Sequence, residues 1–134
     1  MAVISSKKPQ ISAPTQPTSV SLRLIEAGLP ATGADSGEFR RPRVAIVIPA
    51  FNEQANIENV LRELDELRAK RPRWELIPIV VNDGSADNTE LVLRSAAPLY
   101  GALVVNLPLN LGIGRAVQAG FRMAVRCDVD VTIQ

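Results

Sequence analysis

Three short segments bring together residue types that can do chemistry at close spacing. The first is Pro49-Ala-Phe-Asn-Glu53. A flat apolar ring, Phe51, stands two residues from a carboxylate, Glu53. Such a pair can hold a nucleobase, the ring against its face and the carboxylate on an edge N–H. Asn52 can also cap a helix opening here, and Glu53 in the first turn suits the helix dipole. Neither role explains an aromatic residue at a loop tip. The second segment is Val81-Asn-Asp-Gly-Ser-Ala-Asp87. Asp83-Gly84 alone reads as a turn. At the end of a buried strand, Asp83 can instead accept a base N–H or a ribose hydroxyl. The third segment is Asn110-Leu-Gly-Ile-Gly-Arg-Ala-Val-Gln-Ala-Gly120. Gly112 and Gly114 allow a tight turn and close backbone approach. The helix that follows offers free N–H groups to an anion, and Arg115 adds a cation suited to a diphosphate. The third glycine of a dinucleotide fingerprint is absent, because Val117 stands there, and the motif follows the third strand rather than the first. Gly120 reads as a helix-packing contact.

The elements that must position these segments follow from the hydrophobic pattern. Val44-Ala-Ile-Val-Ile48 is an uninterrupted apolar run, as in a strand buried on both faces. Residues 53–70 carry Ile57, Val60, Leu61, Leu64 and Leu67 at helical spacing. Leu76 to Val81 reads as a second strand, with Pro78 predicting a bulge or regular pairing only beyond it. Asp87-Asn-Thr-Glu90 has the spacing of a capping box, which predicts a helix from Asp87 to about Ala97, ended by Pro98 and Gly101. Ala102 to Asn106 reads as a third strand. The next helix shows Ala116, Val117, Gly120, Phe121, Ala124 and Val125 on one side, and Val129 to Ile133 reads as a fourth strand. The alternation predicts an α/β fold, a Rossmann-like open parallel sheet with helices on both faces. Ligands of such sheets bind beyond the carboxyl ends of the strands, where all three segments lie.

Composition narrows the chemistry. The chain has 134 residues, enough for one domain, and a net charge of +1 from 15 basic and 14 acidic residues. That balance gives no case for nucleic acid as a partner. There is no histidine, which excludes a Ser-His-Asp triad and a His-rich metal site. The single cysteine, Cys127, can form neither an internal disulfide nor a zinc cage, and reads as a small buried side chain. No stretch approaches the roughly 18 apolar residues of a membrane span, and no secretory signal follows Lys7 and Lys8, so a cytoplasmic location is expected. Residues 1–42 are rich in Ser, Thr, Pro, Ala and Gly, with Pro9, Pro14, Pro17 and Pro30, and are expected to be a flexible tail before a domain over 43–134. Within that tail Val20, Leu22, Leu24, Ile25 and Leu29 read as a weakly apolar part of it rather than a docking segment.

Taken in series, Val44-Ala-Ile-Val-Ile-Pro-Ala-Phe-Asn-Glu53, Val80-Val-Asn-Asp-Gly-Ser-Ala-Asp-Asn-Thr89 and Asn110-Leu-Gly-Ile-Gly-Arg-Ala resemble the family 2 glycosyltransferases of the GT-A fold. The flavour is that of the polyprenyl-phosphate, dolichol-phosphate mannosyltransferase-like branch, and the resemblance covers 43–134. It implies a nucleotide-diphosphate sugar as donor and a polyprenyl phosphate, or another glycan or lipid at a membrane surface, as acceptor. By position, Pro49, Phe51, Glu53, Val81 and Asp83 match the family's nucleoside-contacting residues. Gly112, Gly114 and Arg115 match its glycine-containing loop near the donor. Phe51 stands where tyrosine is frequent, and Asn82 where aspartate is frequent.

The family's Asp-x-Asp motif, which holds Mg²⁺ or Mn²⁺ against the diphosphate, directly follows the strand matching Val129–Ile133. The sequence ends at Gln134, before such a pair. Asp128 and Asp130 have the spacing but precede the strand and read as a solvated turn. The resemblance therefore implies a truncated, inactive donor-binding half whose open sheet edge invites self-association. The alternative is a non-catalytic nucleotide-binding or protein-interaction module.

Overall fold

The computed structural model describes residues 40–134 together with the backbone of Arg23–Ile25. The rest of the expected tail lies outside the described residues. Arg23–Ile25 is β1, and β2 (Arg43–Ala50), α1 (Ile57–Lys70), β3 (Glu75–Asp83), α2 (Thr89–Tyr100), β4 (Leu103–Leu107), α3 (Ile113–Arg126) and β5 (Val131–Ile133) follow. The sheet order is β1-β4-β3-β2-β5. Strands β2 to β5 run parallel, and β1 lies antiparallel on β4. This is the α/β, Rossmann-like arrangement that the alternation predicted.

Parallel strands covered on both faces need apolar side chains at every position, because successive residues point to opposite sides. Ala45, Val47, Ile79, Val81, Val105 and Leu107 form one core with α3. Ala50, Val80 and Val104 form the other with Ile57, Leu61, Leu93, Ala96 and Ala97 from α1 and α2. Leu61 and Leu93 are fully buried, and burial of each stabilises by about 2 kcal/mol. Truncating either to alanine would cost about 2–5 kcal/mol, because the cavity left behind adds to the lost transfer energy. Gly120 lets α3 lie close on the sheet: a Cβ there would come within 2.3 Å of Val47 Cγ1. Cys127 is buried at the end of α3, as expected.

Several local expectations are corrected. Within Val20–Leu29, the backbone of Arg23–Ile25 is an edge strand, with Leu24 opposite Val105. It pairs backbone groups that β4 would otherwise leave open. Pro78 causes no bulge, since β2 and β3 pair without interruption from Arg43↔Glu75 to Ala50↔Asn82. The β4 ladder begins one residue later, at Ile79↔Leu103, so at Pro78 only β2 flanks the strand and the missing donor is tolerated. Helix α1 starts at Ile57 rather than near 53, because Asn52 adopts φ 55° and the Glu53 carbonyl gathers the amides of Asn56 and Ile57 into a turn. The capping box does not form. Helix α2 begins at Thr89, Asp87 bonds Thr89, and Glu90 pairs with Arg94. That helix also continues through Pro98 to Tyr100, ending at Gly101 with φ 60°. In α3, Phe121 and Val125 are exposed rather than grouped with the buried Ala116, Gly120 and Ala124.

The turn into β5 is structural. Asp130 accepts the Arg43 amide at 2.7 Å and pairs with Arg40 at 2.7 Å. The Arg43 guanidinium in turn donates to the Cys127 carbonyl at 2.6 Å and pairs with Glu75 at 3.2 Å. Asp128 and Asp130 thus lie at the amino end of the sheet, opposite the three motif loops.

Candidate functional site

The loops after β2, β3 and β4 meet beyond the carboxyl ends of those strands. Between them lies a pocket of about 300 Å³, lined by Pro49, Phe51, Glu53, Asp83, Gly112 and Ile113, with Ala50 and Asn110. Five of the eight residues singled out in the sequence thus share one cavity. Phe51 is 44% exposed at its mouth. An aromatic ring left this open contributes little to the core and is free to meet a ligand's flat face.

The other three lie elsewhere. Val81 is fully buried, and its side chain packs beneath Gly120 of α3. The strand period puts it on the core side, so only its backbone is near the strand end. Gly114 sits in the first turn of α3, outside the lining. Arg115, in the same turn, lies over a groove between α3 and β4 that also borders Arg122 and Arg126.

Asp83 is 4% exposed, and both its carboxylate oxygens are engaged. One accepts the Leu111 amide at 2.8 Å and the other the Gly112 amide at 2.9 Å. The carboxylate is therefore a clamp on the β4–α3 loop, and it also lines the pocket. Gly84 allows the same loop to close down. Its φ is 62°, and a Cβ would lie 2.2 Å from the Leu109 carbonyl carbon. Gly112 precedes α3 with φ 86°, a conformation that only glycine adopts readily. Among the described residues no acceptor meets the amides of Ile113 and Gly114, which point from the helix start. The first turn of α3 contains no acidic residue, and the carboxylate nearest its positive end is Asp83, on the amide of Gly112.

The first and second loops are latched by a set of polar contacts that sequence reasoning missed. The Asn52 amide donates to Ser85 Oγ at 3.0 Å, and Asn52 Oδ1 accepts the Ala86 amide at 2.9 Å. The Glu53 amide donates to the buried Thr89 Oγ1 at 2.8 Å. Gln54 completes the latch, donating to Asp87 Oδ2 at 3.2 Å and accepting the Asn88 amide at 2.9 Å. Asp87 in turn receives the Thr89 amide and hydroxyl. Partial desolvation pushes the Asp87 pKa up, but the bonds from the Thr89 hydroxyl and amide and the Gln54 amide outweigh it, leaving the carboxyl below its usual 3.8. Asn82 is held from both sides, donating to Asn106 Oδ1 at 2.9 Å and accepting the Ser85 amide at 3.2 Å. The one available signal was the presence of Asn82 and Asn106 in otherwise apolar strands, since buried polar groups need partners.

Three loops built this way form one rigid rim around a concave space. It offers an aromatic face, a carboxylate at Glu53, a clamped carboxylate at Asp83 and free amides at a helix start. The carboxylates do not make a divalent cation site. Only two carboxylates, Glu53 and Asp83, border the pocket, and the described residues contain no cluster of three or more metal-ligating side chains.

Residues 45–126 match the family model described as Glycosyl transferase family 2. Among curated relatives, a dolichyl-phosphate beta-glucosyltransferase of Trichomonas vaginalis is 37% identical over 84 residues, which is 58% of this chain and 25% of the relative. An undecaprenyl-phosphate 4-deoxy-4-formamido-L-arabinose transferase of Pseudomonas fluorescens is 39% identical over 92 residues, which is 67% of this chain and 26% of the relative. The chain thus spans about a quarter of the length of these relatives.

Proposed function

The chain belongs to glycosyl transferase family 2, and on that premise we propose that its three-loop pocket binds the nucleotide diphosphate of a sugar donor. The observation that carries this reading is the convergence of Phe51, Glu53, Asp83 and Gly112 on one cavity at the carboxyl edge of the sheet. The base lies against Phe51, with Glu53 accepting an edge N–H. Ribose hydroxyls reach the lone pairs of Asp83 that the amide clamp leaves free. The diphosphate faces the open amides of Ile113 and Gly114, where the dipole of α3 is positive. Arg115, directed along the groove beside β4, supplies field rather than a direct contact.

For the whole protein we propose transfer of the sugar to a polyprenyl phosphate, the acceptor class in the names of the matched relatives. A divalent cation would neutralise charge on the departing nucleotide diphosphate in such a reaction. The described residues do not provide its ligands.

Calorimetric titration of the chain with a panel of nucleoside diphosphates tests the donor reading. One base should bind measurably better than the others, and Asp83→Ala should abolish the signal. Equal, featureless heats for every nucleotide would remove the proposal.

A further inference from the structure

Helix α3 is unlike the other two helices in charge. Its 14 residues carry three charged side chains, Arg115, Arg122 and Arg126, and no acid. Helix α1, of the same length, mixes Glu58, Glu63, Asp65 and Glu66 with Arg62, Arg68 and Lys70. Among the described residues, the three α3 arginines have no salt-bridge partner, as is true of Arg41, Arg62, Arg71 and Arg73, but only in α3 do they share a helix that carries no acid. All three are exposed and border the groove whose floor is Val105, Leu107, Leu111, Ala119 and Met123.

The same helix exposes apolar side chains beside those cations. Val125 is 80% exposed and Phe121 is 41% exposed. A solvated helix face gains nothing by combining unpaired arginines with an exposed valine and phenylalanine. A surface that is anionic outside and hydrocarbon beneath satisfies both, since arginine stems lie along apolar groups while the guanidinium reaches phosphate. Nucleic acid would meet the charge but leave the apolar residues uncovered.

We propose that the outer face of α3 docks onto an anionic phospholipid bilayer surface. The helix is about 21 Å long and begins at the pocket, where Ile113 is also a lining residue. Lying on the bilayer, it sets the pocket mouth at headgroup level. This proposal does not depend on donor binding, and the two are measured separately.

The test is sedimentation of the 134-residue chain with vesicles of phosphatidylcholine alone and of phosphatidylcholine mixed with phosphatidylglycerol. Binding is expected only to the anionic vesicles, and it should weaken as salt rises. The double variant Arg122→Gln/Arg126→Gln should lose roughly fivefold in affinity per arginine, and Val125→Ser should weaken binding further. The control Arg71→Gln/Arg73→Gln, in the loop before β3, should bind like the parent. Thermal unfolding of each variant establishes that it is folded, and nucleotide titration should be unchanged throughout. Equal binding to neutral vesicles, no binding at all, or an equal loss in the control would overturn the proposal. So would displacement from vesicles by polyglutamate with no effect of Val125→Ser, which would assign the face to an acidic protein partner.

Discussion

The carboxylate of Asp83 accepts the amide of Gly112 at 2.9 Å, joining the end of β3 to the residue that starts α3. With the second oxygen on Leu111, one side chain sets the shape of the loop that forms a wall of the pocket. Asp83→Ala would leave the half-buried Leu111 amide without its acceptor and the Gly112 amide with Asn110 Oδ1 alone, at 2.9 Å. Charge-assisted bonds of this kind contribute about 1.5–3 kcal/mol each. With the Leu111 bond lost outright and the Gly112 amide still on Asn110, the variant should be destabilised by about 1.5–3 kcal/mol in urea unfolding and should lose nucleotide binding. An unchanged unfolding midpoint would show that the loop holds its shape without the clamp.

Phe51 makes the opposite prediction, because it is exposed and stabilises little. Phe51→Ala should change stability by less than about 0.5 kcal/mol. Its effect should appear in nucleotide affinity instead, where a stacked ring is worth about 1–3 kcal/mol. Phe51→Tyr should retain that affinity. Calorimetric titration of both variants decides; equal affinities for Phe51→Ala and the parent would take the ring out of the site.

Gly120→Ala should destabilise the chain, although alanine is the better helix former by about 1 kcal/mol. The added Cβ would lie 2.3 Å from Val47 Cγ1 and 3.1 Å from Val81 Cγ2, both in the centre of the sheet. Overpacking of this sort costs about 1–3 kcal/mol. Combining it with Val47→Ala should recover part of the loss. Additive effects in the double variant would mean that the two residues do not collide.

Asp87 predicts a pH dependence. Its folded pKa is lowered, so its contribution is complete above the ordinary value of 3.8. It is lost as pH falls below that value through the folded one. The stability difference between the parent and Asp87→Ala should therefore shrink as pH falls from about 5 to about 2. A difference that stays constant over that range would show that the latch does not rely on the charged carboxylate.

Most of the strand and helix pattern was legible because burial on both sheet faces demands uninterrupted apolar runs, as in Val44–Ile48. The pocket was legible for a related reason: in a parallel sheet every strand ends on the same edge, so segments following successive strands must converge. The helix starts were misjudged. Asp87 and Glu90 have the spacing of a capping box, but Asp87 is recruited by Thr89 and Gln54 across the loop. Asn52, read as a cap, bonds Ala86 instead, and such long-range competition leaves no mark in local spacing. Phe121 and Val125 fit a helical stripe, yet the angle at which α3 meets the sheet turns Ala116, Gly120 and Ala124 inward and leaves them outside.

From residue types and order alone came the α/β alternation, the three loop motifs and the membership they signal. Only the tertiary structure decided how those motifs are used. Asp83 became a clamp because the chain brings the amides of Leu111 and Gly112 within 3 Å of it. Val81 left the site because the strand period points it under Gly120. Arg115 turned toward the groove because the helix period carries it there with Arg122 and Arg126. Periodicity along a chain is a local property and can be read in one dimension. Which donor meets which acceptor depends on distances between segments far apart in sequence, and packing sets those distances.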